Sequence, residues 1–231
     1  MEKVFLFDVD GTLINTGGAG SRALVRAFRA RYAVENALKG LILDGKTDPW
    51  IIREVLQLNL GLSPGPEQVR QVMESYLAFL EGEVQSSPNF RIMPGIELLL
   101  AELAAREDAL VGLATGNIEQ GARIKLERAG IYPYFRLGGY GSDSEERPEL
   151  VKIAIRKAER LLGRCLGREE VYIIGDTPLD ILSGKAAQVS TVAVATGRYS
   201  LDELRPYLPD YLFSSLADYP AFLAEVYARQ A

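Results

Sequence analysis

Four short apolar runs constrain the fold of this chain more than any other feature. Val4 to Phe7 is too short for a helix, is rich in aromatic and β-branched residues, and stops at Asp8. Ala109 to Ala114 runs into Thr115-Gly116-Asn117, Val171 to Ile174 into Gly175-Asp176-Thr177, and Thr191 to Ala195 into Thr196-Gly197. Unbroken apolar runs bounded by turn residues are buried strands, here each ending in a polar loop. The segments between them have helical period. Pro94 to Arg106 carries an apolar face, Asn117 can cap a helix running to Ala129 with Gly130 past its end, and Pro148 to Leu162 aligns Val151, Ala154, Ile155, Ala158 and Leu162. Alternation of this kind predicts an α/β fold built on a doubly wound parallel sheet.

Residues 17–90 interrupt the alternation. Ala23, Leu24, Ala27 and Phe28 mark one amphipathic helix, Asp48-Pro49 opens a second through Ile51, Ile52, Val55 and Leu56, and Val69, Val72, Met73, Tyr76 and Leu80 mark a third. Capping of its own helix explains Asp48 here. The expected organisation is a Rossmann-like core of residues 1–16 and 91–231, with a helical unit of residues 17–90 inserted after the first strand. Gly17-Gly18-Ala19-Gly20 reads as the hinge into it, and Ser87-Pro88 with Met93-Pro94-Gly95 as the return.

Composition narrows the chemistry. The chain contains no histidine, which removes Ser-His-Asp and Cys-His catalysis, phosphohistidine chemistry and imidazole-ligated metals. A single cysteine, Cys165, allows neither an intramolecular disulfide nor a thiolate metal cluster. The net charge of −5 leaves no basic footprint for nucleic acid. No apolar stretch approaches the roughly 18 residues of a membrane span, and no leader is visible, so the expectation is a cytoplasmic monomer or homodimer without a membrane partner.

Ligands of a doubly wound sheet bind beyond the carboxyl ends of the strands, so the residues placed there should meet. They are Asp8 and Asp10, Thr115 and Asn117, and Asp176 and Asp180, with Arg147 shortly before the third strand's helix. Four carboxylates in one crevice repel one another unless a cation shares them, and an all-oxygen donor set favours Mg²⁺. Asp8, Asp10, Asp176 and Asp180 are thus the candidate metal residues. The spacing Asp8-x-Asp10 suits a division of labour in which Asp8 attacks a phosphorus atom and Asp10 moves the proton. Thr115 and Arg147 complete the candidate catalytic set. Gly116 and Asn117, with Lys46 from the insertion, are candidate contacts to a small phosphorylated substrate.

The run Asp8-Val9-Asp10-Gly11-Thr12-Leu13 resembles the signature of the haloacid dehalogenase superfamily. Further motifs follow in order: Thr115 resembles the hydroxyl residue that binds the transferring phosphoryl group, and Gly175-Asp176-Thr177-Pro178-Leu179-Asp180 resembles the acidic metal motif, with Asp176 the direct ligand. The resemblance implies that residues 17–90 are a helical cap of the first type, as in phosphoglycolate phosphatase-like members. It also implies a Mg²⁺-dependent phosphatase acting through an aspartyl-phosphate, with phosphoglycolate or a short sugar phosphate as substrate. One motif departs from the pattern. Where the family has Lys-Pro, this chain reads Arg147-Pro148, with Lys152 one turn on as a competitor for the cationic role. Two other functions fit the same residues, a sugar phosphomutase and a non-catalytic binding or regulatory module. The acidic Asp10 argues against dehalogenase and phosphonate chemistry.

Overall fold

The computed structural model describes residues 2–61 and 63–228. In chain order the elements are β1 (Lys3–Phe7), β2 (Ile14–Asn15), α1 (Ala19–Tyr32), α2 (Asp48–Leu60), α3 (Pro66–Ser86), β3 (Arg91–Ile92), α4 (Ile96–Ala104), β4 (Ala109–Thr115) and α5 (Glu119–Arg128). They continue with β5 (Gly138–Tyr140), α6 (Arg147–Leu162), β6 (Val171–Gly175), α7 (Pro178–Ala186), β7 (Ser190–Val194), α8 (Leu201–Leu204), β8 (Tyr211–Phe213) and α9 (Tyr219–Ala228). Six strands form a parallel sheet in the order β5-β4-β1-β6-β7-β8, while β2 and β3 make a small antiparallel ribbon. The doubly wound parallel sheet expected from the alternation is therefore present.

Every residue of β1 is buried, because helices cover both faces of the sheet. Phe5 and Phe7 face one layer with Leu99, Leu103, Leu126 and Phe222. Val4 and Leu6 face the other, with Leu150, Val151, Ala154 and Ala158 of α6. Full burial of a side chain of this kind contributes roughly 1.5 to 3 kcal/mol, and the alternation along β1 sends its aromatic residues to one layer and its aliphatic ones to the other. Phe5 also stacks on Tyr172 of β6, with ring centroids 5.4 Å apart.

Register places the site. Phe7 pairs with Leu113 of β4 on one side and with Ile174 of β6 on the other. The residues that follow, Asp8, Thr115 and Asp176, consequently leave three adjacent strands at the same edge.

The helices α1, α2 and α3 share a core of their own, in which Ala23, Phe28, Ile52, Leu56, Val72 and Leu80 are buried. Gly17 and Gly18 take φ of 61° and 80° at the entry to α1. The side of this helical unit that faces the sheet edge carries the loop from Leu43 to Thr47. Thr47, not Asp48, is the N-cap of α2: its hydroxyl accepts from the amide of Trp50 at 3.3 Å. The carboxylate of Asp48 is spent elsewhere. Among the described residues, no helix is long and apolar enough to cross a membrane.

Two further expectations of local structure are revised. The helix expected from Pro94 starts at Ile96, after Gly95 turns the chain with φ 84°. Asn117 does not cap α5, whose N-cap is Ile118, because its amide is engaged by side chains of the sheet edge. The short strands β5 and β8 join the sheet at its two edges, where three residues each suffice for pairing.

Candidate active site

Asp8 leaves β1 with its amide donating to the carbonyl of Ile174 at 2.8 Å, which anchors it between the strands. Gly11 then turns the chain back with φ 86°, and a Cβ there would collide with the carboxylate of Asp176. The glycine thus lets this loop lie against the next one. Thr12 completes the contact by donating its hydroxyl to Asp176 Oδ1 at 3.0 Å.

Asp8, Asp176 and Asp180 are all buried, and each can offer an oxygen lying within 4.8 Å of the other two. Burial and the neighbouring Asp180 push the Asp8 carboxyl up to about 7, against the opposing effects of Arg147 and a hydrogen bond with Thr115. Burial, then Asp180 and Asp8, also hold Asp176 well above the ordinary carboxylate range. Three buried carboxyls this close together, Asp8 and Asp176 with raised affinity for protons, form a site that a cation would occupy favourably.

The group contains one built-in cation, Arg147, at the first turn of α6 and 7% exposed. Its Nη2 donates to Asp180 and lies 3.8 Å from Asp8 Oδ1, while Nη1 donates to the carbonyl of Gly45 at 3.1 Å. Its Nε is buried and has no hydrogen-bond partner among the described residues. Lys152 lies on the outer side of α6, paired with Glu149 at 2.8 Å. Geometry therefore brings Arg147, and not Lys152, to the carboxylates. Asp180 serves two ends, since it also accepts from the backbone amide and hydroxyl of Thr177 in the capping box of α7.

Asp10, expected with the metal residues, stands apart from the group of three. Its Oδ2 accepts from Lys125 Nζ at 2.5 Å and from Asn117 Nδ2 at 2.9 Å, and Asn117 Nδ2 also lies 2.9 Å from Thr115 Oγ1. The cause is Lys125, which projects from α5 with only 4% exposure and needs a counter-charge. Its ammonium donates to Asn117 Oδ1 as well, at 2.5 Å. Burial disfavours the charged lysine, but Asp10 and Asp48 more than offset this and its pKa is raised.

Lys125 is the residue the sequence reading missed. A signal was present: it shares the buried face of α5 with Gly121, Ala122 and Leu126, where a lysine has no reason to be unless it is paired.

The helical unit closes over this constellation. Asp48 N donates to the carbonyl of Gly116 at 2.8 Å, and Asp48 Oδ2 accepts from the amide of Ile118 at 2.9 Å. An acid from α2 thereby caps α5 across the interface, which is why Asn117 is free for other work. A Cβ on Gly116 would collide with the carbonyl oxygen of Lys46. Gly116→Ala should push the 43–47 loop away from the sheet edge, raising KM at least about fivefold, on the order of 1 kcal/mol of lost binding, while the fold persists. Steady-state kinetics and a thermal melt of the variant check this. The Lys46 ammonium lies over the Trp50 ring, 4.3 Å from its centroid, and its loop lines the cavity between the two units.

Burial pushes the Asp48 carboxyl up to about 6, opposed by Lys125. A carboxyl raised on folding contributes stability below its unfolded value near 3.8 and loses it as pH climbs through about 6. Asp48→Asn, which cannot ionise, should therefore gain in melting temperature relative to the parent protein between pH 4 and pH 7. Melting curves across that range test the sign.

The family described as haloacid dehalogenase-like hydrolase matches residues 5–194. The pyrophosphatase PpaX of Oceanobacillus iheyensis is 27% identical over 240 residues, covering 98% of this chain and 99% of that one. A phosphoglycolate phosphatase of Rhodospirillum rubrum is 27% identical over 205 residues, covering 85% and 81%. In fold, the chain is similar to a hydrolase from Pseudomonas syringae, with a TM-score of 0.72, 21% identity and coverage of 97% and 99%.

Proposed function

This chain belongs to the haloacid dehalogenase-like hydrolase family, and from that footing we propose that it is a Mg²⁺-dependent phosphatase that hydrolyses a small-molecule phosphate monoester through an aspartyl-phosphate. The observation that carries the reading is the pairing of two carboxylates with different surroundings two residues apart. Asp8 lies in the buried acidic group beside Arg147, and Asp10 is held by Lys125 and Asn117.

The donor set fits the metal. Asp8, Asp176 and Asp180 offer hard oxygens only, at mutual distances a single small cation can span, and the raised proton affinity of Asp8 and Asp176 marks the charge it would neutralise. A divalent cation held there supplies charge neutralisation for the phosphoryl oxygens. The steps themselves belong to the chain. The phosphorus is positioned by Thr115, by the backbone of Gly116 and Asn117, and by the guanidinium of Arg147, which lines the cavity. Asp8 attacks in line, the bond to the leaving oxygen breaks, and Asp10 gives that oxygen its proton. Asp10 then takes a proton from water, which attacks the aspartyl-phosphate and releases phosphate and free Asp8. The helical unit of residues 17–90 acts as the cap that excludes bulk water.

The test is phosphate release from p-nitrophenyl phosphate by the whole chain. Turnover should require Mg²⁺, vanish with a chelator and return when Mg²⁺ is restored in excess. A phosphoenzyme that hands its phosphoryl group to a sugar with negligible free phosphate would replace this reading with a phosphomutase.

A further inference from the structure

The cavity between cap and sheet edge has a volume of about 200 Å³, below the roughly 300 to 1,000 Å³ of common ligand pockets, and so admits a leaving group of one ring or a short chain at most. Its lining is asymmetric. The phosphoryl end is set by the strand loops, and the other end by the cap, which brings two carboxylates, Asp44 and Asp48, together with Ser21 and Tyr76.

Two cations stand near that end. Lys46 is drawn over the Trp50 ring, 4.3 Å from its centroid, and Lys125 donates to Asp10 and Asn117. Asp44 pairs with Arg198 at 2.8 Å, on the outer side of the loop. Asp48 Oδ2 accepts from a neutral amide, Ile118, and the residue makes no ion pair among the described residues.

A leaving group bearing a carboxylate or a second phosphate would place its anion against Asp48, and Lys46, which makes no ion pair among the described residues, would have to leave the Trp50 ring to meet it. A group bearing hydroxyls or an ammonium would instead donate to the same carboxylate. We infer that the cap selects phosphate monoesters whose leaving group is neutral or cationic and rich in hydrogen-bond donors, a polyol or amino alcohol, and that it excludes anionic leaving groups such as those of phosphoglycolate and pyrophosphate. The inference rests on the phosphatase reading and names the substrate class of that same site. The residue that imposes the choice is Asp48.

The experiment measures kcat/KM of the Mg²⁺-loaded protein for glycerol phosphate, phosphoethanolamine and short sugar phosphates against phosphoglycolate and pyrophosphate, with p-nitrophenyl phosphate as a reporter of the chemistry. The best donor-bearing substrate should exceed both anionic ones by at least tenfold. Asp48→Asn should narrow that gap at least threefold, chiefly through KM for phosphoglycolate. A second readout needs no variant: glycerol should inhibit p-nitrophenyl phosphate turnover at lower concentration than glycolate. Phosphoglycolate or pyrophosphate as the best substrate, or stronger inhibition by glycolate, with reporter turnover intact, overturns the inference alone. Absence of any reporter turnover overturns the phosphatase reading and the inference with it.

Discussion

Asp8→Asn is expected to lower turnover by at least about 10⁴-fold, because it removes the oxygen proposed to attack and leaves binding by the remaining groups to act alone. The same substitution should not weaken the metal-free fold. Asp8 is held near 7 by burial and by Asp180, so ionising it in the absence of a cation costs stability. An amide of the same shape fills the space without that repulsion and still accepts from Thr115. The metal-free Asp8→Asn protein should therefore melt no lower than its parent at pH 8, while its Mg²⁺-induced rise in melting temperature shrinks. Activity and stability moving in opposite directions is the mark of a group retained for chemistry. Retention of Mg²⁺-dependent turnover by Asp8→Asn would remove Asp8 from the nucleophile's position.

Much of this candidate site is legible in the sequence, for a physical reason. In a parallel sheet the chemistry sits one or two residues past each strand, and buried strands announce themselves as apolar runs. Phe5 and Phe7 locate β1, and Ile173 and Ile174 locate β6, so Asp8 and Asp176 follow with little ambiguity. The edge strands escaped because β5 is Gly138-Gly139-Tyr140 and has no apolar run to show. Asp48 escaped for a different reason. A carboxylate beside Pro49 at a helix start looks like a local cap, and only tertiary contact reveals that it caps α5 from another unit. The order of strands in space, which sets β1 between β4 and β6, likewise depends on packing that no single segment encodes.

Lys125 combines both difficulties, and it carries the second large expected effect. Within α5 it could pass for one more basic residue near a helix end, yet its ammonium is buried and its partners come from β1 and β4 loops that lie far away in sequence. If its work is to hold the Asp10 carboxylate toward the leaving oxygen, Lys125→Met should reduce kcat by about 10² to 10³, within the range a positioned acid–base group contributes. The loss should fall on kcat more than on KM, since the proton transfer proposed for Asp10 belongs to the transition state. A merely structural lysine would also lower activity, by loosening the cap, so the single variant does not decide. The double-mutant cycle with Asp10→Asn does. In the Asp10→Asn background there is no proton donor left to position, and Lys125→Met should then cost less than about threefold, a coupling of at least about 2 kcal/mol between the two sites. Full additivity would mean that Lys125 supports the structure around Asp10 without serving it. Lys125→Arg offers a further check, because a planar fork in a space fitted to a single ammonium cannot reach Asp10 and Asn117 in the same way and should recover only part of the lost rate.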